Sequence, residues 1–74
     1  VLKQDPRMSP ETMIRMANQI AGFFKTQPKI DQAQAVADHI SDFWEPRMKA
    51  QLVAFVADGG AGLDDLAVEA SKRL

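Results

Sequence analysis

The sequence predicts an all-α domain: a small bundle of three main helices plus a short C-terminal helix. Three observations carry this. Apolar residues recur at three- and four-residue spacing along each long segment. No stretch alternates with the period of two that a half-buried strand requires. Each helical segment also opens on a residue suited to a cap or a first turn: Ser9-Pro10, Asp31, Pro46 and Asp64-Asp65.

Residues 1–8 read as an N-terminal arm, extended or disordered, and residues 9–74 as the helical domain. The first helix starts with Ser9 as N-cap, Pro10 at the first position and Glu11 in the first turn. Met13, Met16, Ala17, Ile20, Ala21 and Phe24 then form one stripe. Ile14 and Phe23 widen it to about half the circumference, more than the ≳100° a helix needs to face its own core. Pro28 makes continuation past Gln27 unfavourable.

The second helix starts after Asp31, with Gln34 completing a capping-box pattern. Ala33, Val36, Ala37, Ile40, Phe43 and Trp44 form its expected apolar face. Asp38, Asp42 and Glu45 share another face, which reads as solvated carboxylates before it reads as a site for a cation or a basic partner. Pro46 has no N–H and clashes with a preceding turn, so one helix must end near Phe43-Trp44 and another begin at Pro46. Trp44, the single Trp, therefore stands at a corner, where core and interface roles are equally open.

The third helix is expected from Pro46 to about Ala57. Met48, Leu52, Phe55 and Val56 make one face and Val53 broadens it, while Ala50, Ala54 and Ala57 occupy the side that should be wet. A helix so poor in polar residues is usually buried on several sides, and a partner could supply one of them. Gly59-Gly60-Ala61-Gly62 reads as a left-handed cap and turn. A phosphate loop would need a preceding strand and a following Lys-Ser/Thr, and neither is present. Asp64 or Asp65 caps the fourth helix, which offers Leu66, Val68, Ala70 and Leu74 for packing.

At 74 residues the chain has room for one small core, and with no Cys there is no disulfide to reinforce it. Nine basic and ten acidic residues give a net charge of −1, which offers no electrostatic case for nucleic acid or anionic lipid. No apolar run approaches the ~20 residues that span a bilayer, and the start has no apolar signal core. A soluble, cytoplasmic chain is expected, with no membrane and no nucleic-acid partner.

Catalytic chemistry finds little to work with. His39 is the single His, and with Asp38, Asp42 and Glu45 on the same stretch it makes a weak ligand set, so a half-exposed structural His is the favoured reading. Ser9, Ser41 and Ser71 lack a base in a recognisable arrangement. No catalytic, cofactor-binding or metal-binding residue is assigned. Trp, Arg and Met are at home on binding surfaces, and surplus apolar surface on the first and third helices adds two positions. The candidate partner-binding residues are thus Trp44, Arg47, Met48, Phe23 and Val53.

The runs MIRMANQIAGFF (Met13 to Phe24), AVADHISDFWEPRM (Ala35 to Met48) and Gly59-Gly60-Ala61-Gly62-Leu63-Asp64, in this order and spacing, resemble the delta subunit of NAD-dependent, molybdenum- or tungsten-containing formate dehydrogenases. The likeness extends from about Ser9 to the C-terminus. Asp65 departs from it, since Pro is expected there. The resemblance implies a non-catalytic accessory subunit of a cytoplasmic complex that oxidises formate and reduces NAD. It would dock on the large catalytic subunit and support its stability or cofactor-loaded assembly. Molybdopterin, iron–sulfur clusters, FMN and NAD would be held by partner subunits and none by this chain. Two readings stay open beside it. One is a transient assembly factor for the same enzyme. The other is a small helical module that homo-oligomerises or binds nucleic acid, the latter disfavoured by the acidic second helix. Self-association of the isolated chain is also possible.

Overall fold

The computed structural model describes residues 9–74; the expected arm, residues 1–8, lies outside them. Among the described residues there are four helices and no strand: α1 (Pro10–Phe24), α2 (Gln32–Phe43), α3 (Pro46–Ala57) and α4 (Asp65–Ser71). The expected all-α architecture is thus the observed one.

Local chemistry sets the boundaries. The Ser9 hydroxyl accepts from the Thr12 N–H at 3.2 Å, and Pro10 occupies the first turn of α1. Asp31 accepts from the Gln34 N–H at 3.2 Å to cap α2. The capping box there is only half made: the Gln34 side chain points forward and donates to Asp38 at 2.9 Å rather than returning to the cap. The corner expected at Pro46 is present. Trp44 and Glu45 are both extended, with φ/ψ of −92/140° and −67/155°, as the residue before a proline is forced to be. α3 then begins on Pro46 with no side-chain cap at all.

The end of α3 shows why the chain spends glycines there. Gly60 N–H donates to Phe55 O at 2.9 Å and Gly59 N–H to Val56 O at 3.0 Å, the paired bonds of a Schellman cap. Gly59, Gly60 and Gly62 have φ of 120°, 65° and 86°, where a Cβ is strained. Asp64 accepts from the Leu66 N–H at 2.9 Å and starts α4, so the expected cap is Asp64 and not Asp65.

The core is built chiefly from α1, α2 and α4, with Leu52 added from α3, and α2 packs most extensively on α4. Met13, Val36, Ile40 and Leu52 are its largest fully buried side chains, and Ala17, Ala21, Ala37, Ala67 and Ala70 let the helices approach closely. Trp44 is 6% exposed and closes the corner from inside.

Two expectations fail here. Phe43 does not join the apolar face of α2: it is 72% exposed. It sits on the flank of that face, beyond the row Val36–Ile40 that points into the core. α3 is not enclosed on several sides either. Leu52 is its one fully buried residue, and it packs chiefly on α4. Ala50, Val53, Ala54 and Ala57 run down an exposed face. The short fourth helix is the reason: seven residues can cover one side of α3 but not two.

Candidate docking surface

α1 has two flanks outside the core, and they are finished differently. On one, Asn18 reaches across the fold to the glycine loop. Its Nδ2 donates to Gly62 O at 2.9 Å, and its Oδ1 accepts from the Asp64 N–H at 2.7 Å. Lys25 pairs with the Asp64 carboxylate at 2.5 Å. That hydrogen bond, with the Leu66 N–H, holds the Asp64 carboxyl below the usual carboxylate range. Arg73, just past α4, ties the same region to α2 through Asp31 at 2.8 Å and lowers the Asp31 pKa in turn. No buried side-chain N or O among the described residues lacks a hydrogen-bond partner.

The other flank of α1 is open. Gln19, Ile20, Phe23 and Phe24 meet His39 of α2 around a groove of about 240 Å³. Four rings run across it in sequence: Phe23 to Phe24 with centroids 5.1 Å apart, Phe24 to His39 at 6.2 Å, and His39 to Phe43 at 4.7 Å. The first two pairs are edge-to-face, the geometry rings prefer. The ends of the series, Phe23 and Phe43, are 62% and 72% exposed. His39 is half-buried within it. The groove falls below the roughly 300–1,000 Å³ of small-molecule sites. It suits one or two protruding side chains.

The candidate residues do not converge on one surface. Phe23 lines the aromatic groove, whereas Val53, 42% exposed, lies on α3. Arg47 is exposed and Met48 half-buried at the start of α3. Trp44 is enclosed, so it supports the corner and offers almost no ring surface to a partner. Sequence reasoning did not place Phe43 and His39 on the exposed surface as a pair. Their spacing of four residues, with carboxylates one position before each, was the available signal.

The described residues contain no group of three or more His, Cys, Asp or Glu that could hold a metal, and no helix among them is long and apolar enough to cross a membrane.

No curated protein and no solved structure matches the chain significantly. A family model, described as NADH-dependent formate dehydrogenase delta subunit FdsD, matches residues 12–71 of the 74. The matched span includes α2, α3, α4 and all of α1 but Pro10 and Glu11, and so both flanks described above. The chain belongs to the FdsD family and is a delta subunit of an NADH-dependent formate dehydrogenase.

Proposed function

We propose that this chain is a non-catalytic accessory subunit that docks on the large catalytic subunit of a cytoplasmic formate dehydrogenase. It supports the stability of that subunit or its cofactor-loaded assembly. Molybdopterin, iron–sulfur clusters, FMN and NAD belong to the partner subunits in this reading. The observation that carries it is the large apolar surface left unpartnered on a small chain: Phe23, Phe43 and Val53 stand out from a core made mostly of alanines. Covering a phenylalanine side chain fully contributes roughly 1.5–3 kcal/mol. Two such rings fall within or below the ~4–15 kcal/mol that association costs in lost freedom. They anchor a docked state, and further contacts must complete it.

The side-chain chemistry supports a non-catalytic role. The sequence has no Cys and no Tyr, and its single His is engaged by two phenylalanine rings. The test is removal of this chain from the producing cell, followed by assay of molybdenum, iron and flavin content, complex integrity and formate oxidation. Loss of cofactor or of the catalytic subunit is expected. An unchanged, fully loaded and active complex would refute the proposal.

A further inference from the structure

We infer that the groove between α1 and α2 is the docking site, and that its occupant is a segment of the partner subunit presenting an apolar side chain flanked by Lys or Arg. The inference rests on the docking reading above and deepens it by naming the face and the chemistry it takes.

The apolar half of the recognition comes from the ring series. Phe23 and Phe43 flank the groove, while Ile20, Phe24 and His39 line it. Each ring rests against a neighbour, and a phenylalanine has only two side-chain torsions to immobilise when a partner covers it. A protruding aliphatic or aromatic side chain entering between Phe23 and His39 would convert the two exposed rings into an anchored contact of the kind that dominates binding energy.

The charged half comes from α2. From Ile30 to Pro46 the chain contains Asp31, Asp38, Asp42 and Glu45 and no Lys or Arg. Asp31 is taken by Arg73. Asp38, Asp42 and Glu45 are exposed, and among the described residues none of the three has an ion-pair partner. Helical spacing puts Asp38 and Asp42 in the row beside His39 and Phe43, and Glu45 follows at the extended corner two residues past the end of α2. The groove is thus bordered along α2 by carboxylates that no cation among the described residues pairs with. A cation beside the inserted side chain would pair with them, and a guanidinium would also stack on the Phe43 face. An acidic or purely apolar partner would leave them uncompensated as water is excluded. The apolar face of α3 carries charges of both signs along it, Arg47 and Lys49 toward its start and Asp58 at its end, and so does not single out one partner charge.

The test uses the full chain and formate dehydrogenase from which this chain has been stripped after assembly, with binding measured by interferometry at two salt concentrations. Phe23→Ser with Phe43→Ser should weaken binding at least ~30-fold, as loss of two anchors does. Asp42→Lys with Glu45→Lys should weaken it roughly 10-fold at low salt, mostly through the association rate, and flatten the salt dependence. All four positions are exposed, and circular dichroism should show each variant folded. If the wild-type chain binds and both double variants bind equally well, the groove is not the site, and the proposed function survives without this inference. If the wild-type chain does not bind at all, the proposed function falls and takes this inference with it. Light scattering that shows a wild-type dimer dispersed by the Phe23/Phe43 variant, with binding to the enzyme unchanged, would overturn it in favour of a second copy as occupant.

Discussion

The two flanks of α1 are made from the same helix and face opposite tasks. Toward the glycine loop, Asn18 and Lys25 meet complementary groups and all is satisfied within the chain. Toward α2, Phe23, Phe24, His39 and Phe43 form a row whose ends face solvent. The closed flank gains nothing from a partner. The open flank loses little by being uncovered and gains much by being covered. The contrast places the cross-chain polar contacts on the Asn18 side, and the aromatic side is the one proposed above for recognition.

The comparison can be broken first at the core that both flanks share. Ile40→Ala should cost ~2–5 kcal/mol in urea unfolding, since it empties a fully enclosed site. On a domain this small such a loss approaches the whole of its stability. Asn18→Ala removes two bonds across the closed flank and leaves the Asp64 N–H without its acceptor, which should cost roughly 1–3 kcal/mol. Gly62→Ala should cost about 1–2 kcal/mol, because φ is 86° while the added Cβ would meet Ile14 only at ordinary contact distance.

Acid should then sharpen the difference. The Asp64 pKa is depressed in the fold, so its contribution is present above the unfolded carboxylate value and is lost as pH falls through the folded one. The loss therefore lies below about pH 4. Asp64→Asn keeps a competent N-cap, so at pH 7 it should cost no more than ~1 kcal/mol, and its acid-unfolding limb should be shallower than that of the wild type. Smallest of all, Phe23→Ser or Phe43→Ser should move the unfolding free energy by no more than about ±0.5 kcal/mol, as exposed substitutions do. A larger loss would place the rings among the residues that hold the fold together and erase the distinction between the flanks.

Much of the fold was legible because its signals are local. Ser9, Asp31, Pro46 and Asp64 act on backbone within three residues, and Met13, Ala17 and Ile40 follow a helical period. The site was less legible because it depends on which helix lies next to which. Phe43 belongs by spacing to the same broad apolar stripe as Ile40, yet no helix covers that flank. Asn18 falls by period on the polar half of α1, and its partners stand 44 and 46 residues away. Trp44 was equally suited to inside and outside, and the two extended residues at the corner turn it inward. The exposed alanines of α3 followed from the brevity of α4, which composition does not reveal.

Hydroxyl-radical footprinting of the free chain and of the intact formate dehydrogenase complex tests the central claim most directly. Phe23 and Phe43 should label readily in the free chain and lose most of that labelling in the complex, while enclosed Trp44 labels little in either. Equal labelling of both phenylalanines in the two states would contradict the account.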